Sequence, residues 1–147
     1  MKYTFKRITI GDILKIKEWK YKKGYMDVVF MKPYLDNYMH NKPLKGPANC
    51  DGFAVFKGKI LFGLFEYYIK DDIEVGLAIN PEYVGEGLAK SFIKEGIEFG
   101  VKQYDYKKDY IRLVVEIKNK PAYKAYLKAG FIEIDRNEEE IIMHYKL

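Results

Sequence analysis

The chain has 147 residues, of which 48% are hydrophobic, 16% aromatic and 32% charged, and 26 Lys plus Arg against 21 Asp plus Glu give a formal charge of +5. That length fits a single domain over 1–147, burying roughly 68–70% of what its unfolded chain exposes, and the 14 Tyr and 9 Phe exclude intrinsic disorder because they demand a core. A lone cysteine, Cys50, excludes a disulfide scaffold, and no apolar run nears the roughly 20 residues of a membrane span. The start, Met1–Ile10, interleaves Lys and Arg where a signal peptide carries an apolar block, so a cytoplasmic protein is expected.

Taken in chain order, Tyr3 to Ile8 alternates like a short strand. Asp12 offers an N-cap to a helix whose apolar side carries Ile13, Leu14, Ile16 and Trp19. A short helix opens at Pro33, and Pro43, Gly46 and Pro47 mark a loop. Phe53–Phe56 and Ile60–Tyr68 read as a hairpin around Lys57-Gly58, and Asp71-Asp72 turns the chain into a strand over Ile73–Ile79. In Leu88–Tyr104 the residues Ala89, Ile93, Ile97 and Val101 repeat every four positions, which predicts an amphipathic helix. Ile111–Ile117 is β-branched and suits the middle of a sheet. Asn119 caps a second helix with Pro121 in its first turn, Gly130 ends it, and Phe131–Asp135 with Ile141–Leu147 close the chain as paired strands. The order is α/β (α+β), with one clear βαβ crossover.

The basic run Lys15, Lys17, Lys20, Lys22 and Lys23 could contact phosphates, but the lysines as a whole are scattered among acids and read better as a solvated face. His40 and His144 have no Cys or carboxylate at metal-ligand spacing, so no metal site is expected. Cys50 lies in a loop without a histidine near it in sequence, which gives a nucleophile role little support. The aromatic group Trp19, Tyr21, Tyr25, Phe30, Tyr34 and Tyr38 packs over the sheet or lines a pocket.

The most informative stretch is Ile73 to Ala89, where a strand ends, a turn follows, and Gly85 and Gly87 open a helix. Glycines there let the backbone approach a ligand, and the free N–H groups of the first turn make an anion site suited to a pyrophosphate. The Gly-Lys-Ser/Thr of a Walker loop is absent, and Lys90 stands where a dinucleotide fingerprint needs its third glycine.

Over Ile73–Phe131 the chain resembles the GNAT N-acetyltransferase superfamily. Val84-Gly85-Glu86-Gly87-Leu88-Ala89 is similar to its acyl-CoA signature, Gln/Arg-x-x-Gly-x-Gly/Ala, with Val84 in place of the Gln or Arg. Asn119 to Phe131 is similar to the family's Asn-x-x-Ala-x-x-x-Tyr-x-Lys-x-Gly-Phe. The resemblance implies a mixed, mostly antiparallel central sheet of about six to seven strands flanked by helices. It also implies a CoA cleft between two splayed parallel strands.

Roles follow position by position from the same resemblance. The N–H groups of Val84, Gly85, Glu86, Gly87, Leu88, Ala89 and Lys90 hold the CoA pyrophosphate. The edges of Leu77, Ala78 and Ile79 pair with the pantetheine arm, and Asn119 and Ala122 lie alongside it. Tyr126 protonates the departing thiolate, a sensible match because a phenol near about 10 can share a proton with a thiol of about 8.5. An amine acceptor needs a base; Glu74, which alternates with Gly76 and Ala78, is the first candidate and Glu66 on the neighbouring strand the reserve. The implied activity is direct acetyl transfer from acetyl-CoA to a primary amine, on a small molecule or on a protein N-terminus or lysine, in a ternary complex. Two other classes stay open: a catalytically silent acyl-CoA-binding module, and a basic ribosome- or nucleic-acid-associated protein. The oligomeric state, a homodimer included, is not legible in the letters.

Overall fold

The computed structural model describes residues 2–22 and 24–147; Met1, of the Met1–Ile10 start, and Lys23, of the basic run, lie outside them. Seven strands form one sheet in the order β1-β2-β3-β4-β5-β7-β6. In sequence they are β1 (Thr4–Arg7), β2 (Asp51–Lys57), β3 (Ile60–Ile69), β4 (Ile73–Ile79), β5 (Tyr110–Glu116), β6 (Ile132–Arg136) and β7 (Glu140–Lys146). Four helices, α1 (Ile10–Lys17), α2 (Lys32–Met39), α3 (Ala89–Gln103) and α4 (Lys120–Ala129), cover its faces. All neighbouring strands run antiparallel except β4 and β5. The mixed, mostly antiparallel sheet expected from the sequence is the sheet found.

Alternation along the strands sorts side chains into two cores. Phe65, Tyr67, Val75, Ile111, Leu113 and Val115 face α3 and α4, and join Phe92, Ile93 and Ile97 of α3 in the larger one. Leu64 and Ala78 point the other way, into the cluster of Ile13, Ile16, Trp19 and Tyr34 built by α1 and α2. The helix α3 lies close to the sheet because Gly96 and Gly100 leave room for the rings of Phe65 and Tyr67. The Tyr67 hydroxyl then donates to the Gly96 carbonyl at 2.7 Å, so its polar end is satisfied inside the core.

Local differences from the sequence reading have plain causes. Thr9, not Asp12, caps α1: the Thr9 hydroxyl accepts from the Asp12 N–H at 3.3 Å, and the Asp12 carboxylate accepts from the Thr9 N–H at 3.0 Å. Asp12 is thus the third-position partner of a capping box. Leu14, expected on the apolar side, is 52% exposed, because Ile13 and Ile16 already fill the buried stripe of this short helix. Lys15, Lys17, Lys20 and Lys22 are exposed, and Lys15 and Lys17 sit in the last turn of α1, where positive charge suits the helix dipole. His40 keeps its Nδ1 2.8 Å from the Asp36 carbonyl, and His144 stacks on Tyr110 with ring centroids 4.2 Å apart. Among the described residues no helix is long and apolar enough to cross a membrane.

Candidate active site

The feature that creates the site is a sheet that opens. β4 and β5 share a single register pair, Glu74 with Arg112, and then diverge. β4 stays paired to β3 as far as Gly63–Ile79, and β5 stays paired to β7 along its length, so only the facing edges part. Unpaired backbone groups at such an edge seek a partner, and an extended ligand can supply one.

The chain leaves β4 through a rigid turn. Asn80 donates its backbone N–H to the Phe62 carbonyl at 2.7 Å and its side-chain amide to Leu61 at 2.9 Å, while its side-chain oxygen accepts from the Glu82 N–H at 3.0 Å. Gly85 and Gly87 follow with φ of +84° and +76°, a left-handed backbone that favours glycine. The next element, α3, starts after Leu88 with no side-chain cap, so the N–H groups of its first turn are left for another partner. At the far side Asn119 caps α4 by accepting from the Ala122 N–H at 3.4 Å, and Gly130 closes that helix at φ +115°.

These elements enclose a cavity of about 740 Å³ that receives Leu77, Ala78 and Ile79 from β4 and Val84, Gly85, Gly87 and Leu88 from the turn. Ala89 and Lys90 from α3, and Asn119, Ala122 and Tyr126 from the α4 side, complete the expected set. Glu86 is the one residue of that set outside the lining, its side chain exposed. Such a volume is in the ordinary range for a cofactor-sized ligand. Three further lysines, Lys120, Lys124 and Lys128, join Lys90 on its wall. Sequence reasoning passed over them, although their four-residue spacing along α4 was the available signal. Tyr21 and Tyr25 also reach the cavity, and the Tyr21 hydroxyl donates to the Ile79 carbonyl at 2.6 Å. Trp19 and Tyr34, from the same aromatic group, are buried in the smaller core, and Phe30 and Tyr38 are exposed.

A second cavity, about 190 Å³, opens on the α1/α2 face of the sheet. It shares Val28, Leu77, Ala78, Asn119 and Tyr126 with the first, so the two meet where the strands part. Their charges differ in sign. The charged side chains lining the large cavity are Lys90, Lys120, Lys124 and Lys128; those lining the small one are Glu66 and Glu116. Tyr126 stands between them, and burial pushes its phenol up to about 12, so it stays protonated over the physiological range.

The two carboxylates considered as bases are placed differently. Glu74 has Lys70 Nζ at 3.3 Å and Arg112 Nε at 3.7 Å, and it lines neither cavity. Glu66 lies opposite Gly76 across β3 and β4 and faces the small cavity. Its Oε2 accepts from the Tyr34 hydroxyl at 2.6 Å and from Cys50 Sγ at 3.6 Å. Burial raises its carboxyl above the usual carboxylate range, only partly offset by those hydrogen bonds.

Comparison with known proteins agrees with this geometry. A model of the acetyltransferase (GNAT) family matches residues 14–131. The spermidine N(1)-acetyltransferase of Vibrio cholerae is 26% identical over 149 residues, covering 96% of this chain and 85% of that protein. Among solved structures, a chimera of the Vibrio cholerae spermidine N-acetyltransferase SpeG superposes with a TM-score of 0.73 at 24% identity, covering 99% of this chain and 96% of the other. The Campylobacter jejuni N-acetyltransferase PseH in complex with acetyl coenzyme A superposes with a TM-score of 0.70 at 17% identity, covering 98% of each chain. The splayed sheet, the uncapped helix behind two left-handed glycines and the family match lead to one conclusion: this chain belongs to the GNAT acetyltransferase family and is an acetyl-CoA-dependent N-acetyltransferase.

Proposed function

We propose that the protein transfers the acetyl group of acetyl-CoA to a primary amine of a small, cationic, slender molecule, a polyamine first among them, within a ternary complex. The observation that carries this reading is the opposite charge of two cavities that meet at Tyr126. The lysine-walled chamber suits the phosphates of CoA, with the N–H groups from Val84 to Lys90 taking the pyrophosphate. Four lysines put positive charge on the wall of the cavity that Val84, standing where the family has Gln or Arg, also lines. The pantetheine arm lies along Leu77, Ala78 and Ile79 beside Asn119 and Ala122, and it brings the thioester to the opening between the strands.

The smaller chamber receives the acceptor. Glu66 and Glu116 attract an ammonium, and a chamber of about 190 Å³ admits a slender alkylammonium chain. The spermidine acetyltransferase relatives point to the same chemistry. Tyr126 donates the proton that the leaving thiolate takes up; in the same water-poor opening the thiolate is itself made more basic by desolvation.

Release of free CoA thiol from acetyl-CoA tests the reading, with spermidine, an alkyl diamine, an alkyl monoamine, a lysine-containing peptide and an aminoglycoside as acceptors. The diamine and spermidine are expected to turn over with the highest kcat/KM. Preference for the peptide, or for the uncharged-tailed monoamine, defeats the polyamine acceptor while leaving the transferase intact. Binding of acetyl-CoA with no turnover of any amine supports a silent CoA-binding module instead.

A further inference from the structure

The mechanism needs a proton acceptor for the incoming ammonium, because an alkylamine with a pKa of about 10 is mostly protonated at neutral pH. Two carboxylates on one face of the sheet compete for that role, and their neighbours decide between them. Glu74 lies between two cations, Lys70 and Arg112, and its side chain lines neither cavity, so an acceptor in the opening does not meet it. The groups facing Glu66 are neutral hydrogen-bond donors: Tyr34 from α2, Cys50 from the segment before β2, and Tyr68 from its own strand. Across the small cavity stand Glu116 of β5 and Tyr126 of α4. Donors of this kind orient a carboxylate without neutralising it.

The setting is rigid. Tyr34 is fully buried, and a Cβ on either Gly46 or Gly52 would overlap its ring, so both glycines form the slot that fixes its hydroxyl on Glu66. The Tyr34 hydroxyl also lies 3.7 Å from Cys50 Sγ. Burial pushes the Cys50 thiol up to about 12, and burial with the adjacent Glu66 raises Tyr34 further, so both remain donors rather than rival bases. Both of these hydrogen bonds fall on Oε2. The other oxygen, Oε1, is turned toward Gly76, where even an added Cβ would come within 3.7 Å. Gly76 lines the small cavity and keeps the path from Oε1 to the strand opening clear.

Resting on the transferase reading above, we propose that Glu66 Oε1 takes the proton from the acceptor ammonium, and that Tyr34 and Cys50 are the positioning residues that hold this carboxylate toward the opening between β4 and β5. The step balances as follows. Glu66 accepts one proton from the ammonium and becomes a carboxylic acid. The freed nitrogen lone pair forms the N–C bond to the acetyl carbon, and the C–S bond breaks with its electron pair on sulfur. Sulfur takes the Tyr126 phenolic proton, and a second proton from the nitrogen returns to Tyr126, leaving a neutral amide. Glu66 then gives its proton to water, so one acetyl group moves and one proton is released.

The test uses the full chain with saturating acetyl-CoA and spermidine, or whichever panel amine is turned over fastest. Wild-type turnover is measured first and decides the transferase reading by itself; an enzyme inert toward every amine sinks both readings before any substitution is made. Given turnover, Glu66→Gln is expected to lower kcat/KM for the amine by ~10²-fold or more, with acetyl-CoA affinity nearly unchanged. It is also expected to erase the acidic limb of the kcat/KM profile, since that limb reports the free enzyme's essential base. Tyr34→Phe removes a hydrogen bond that favours the carboxylate, so it moves the same limb to higher pH while leaving the plateau in place. A Glu66→Gln enzyme within about threefold of wild type, or an acidic limb that neither substitution moves, overturns the assignment.

Discussion

Glu74 and Arg112 stand opposite each other in the single register pair that joins β4 to β5. Beyond them the two halves of the sheet, β1 to β4 on one side and β5, β7 and β6 on the other, separate around the ligand cavities. The contact of their side chains, 3.7 Å from Arg112 Nε to Glu74 Oε1, therefore marks the hinge line of the opening rather than its chemical centre. Arg112 Nε has no hydrogen-bond partner among the described residues, so the pair is an electrostatic contact, not a fork of two hydrogen bonds.

Removing the charge at this hinge separates structure from catalysis. Glu74→Gln loses two partly exposed ion pairs, with Lys70 and Arg112, and is expected to cost about 1 kcal/mol of stability. Its kcat/KM for the amine should stay within about twofold of wild type, with the same pH profile. Chemical denaturation together with a pH series measures both. A loss of ~10²-fold, with the acidic limb gone, would return the base to Glu74.

The sequence made the chemistry of one half of the site legible and left the other obscure, for physical reasons. Gly85 and Gly87 were readable because a left-handed backbone before a helix demands glycine, and Asn119 and Gly130 because caps have few substitutes. Alternation placed Glu74 with Gly76 and Ala78 and left Glu66 only on the neighbouring strand; the Glu66–Gly76 and Tyr68–Glu74 partners show that the two carboxylates share a face. It could not rank them. What distinguishes them is Arg112 from a distant strand and Tyr34 from α2, and neither contact leaves a local pattern. The cap of α1 was misplaced for a related reason: Asp12 and Thr9 are both capping residues, and only the backbone shows which one sits outside the helix.

Tyr126 can be tested without disturbing its packing. The ring lies against Phe131, with centroids 5.9 Å apart, and Phe preserves that contact while deleting the hydroxyl. Tyr126→Phe is expected to lower kcat by ~10²-fold or more, since a positioned acid contributes that much, with acetyl-CoA affinity close to wild type. Single-turnover kinetics with a calorimetric titration of acetyl-CoA read the two separately. Unchanged kcat takes the acid role away from Tyr126.

The raised carboxyl of Glu66 makes a stability prediction with a definite sign. A folded-state value above the unfolded one means that the native chain binds the proton more tightly, so this group's contribution to stability is complete below the unfolded value and is lost as pH rises through the folded value. At neutral pH the charged carboxylate is thus a burden on the fold. Glu66→Gln keeps an oxygen for the Tyr34 hydroxyl and removes the charge, so its Tm should equal or exceed that of wild type near pH 7. The advantage should shrink as the pH is lowered and wild-type Glu66 protonates. Thermal melts across pH measure it; a Glu66→Gln protein that is less stable at neutral pH and no worse off in acid contradicts the burden.

Gly87 tests the anion site itself. Its φ of +76° is strained for a side chain, yet a Cβ built there meets nothing within 4 Å, so substitution strains the backbone without a clash. A left-handed non-glycine residue costs about 1–2 kcal/mol, and a β-branched one sits at the upper end. Gly87→Val is therefore expected to fold, with a lowered Tm, and to relieve the strain by rotating the turn that aims the N–H groups before α3. Each 1.4 kcal/mol of interaction lost with the pyrophosphate weakens acetyl-CoA about tenfold, and a loss of tenfold or more is expected. Circular dichroism confirms the fold and a titration of acetyl-CoA reads the affinity. Wild-type affinity in a folded Gly87→Val protein would show that the phosphates are held elsewhere, with the Lys90 side chain and the lysines of α4 as the remaining positive surface of that cavity.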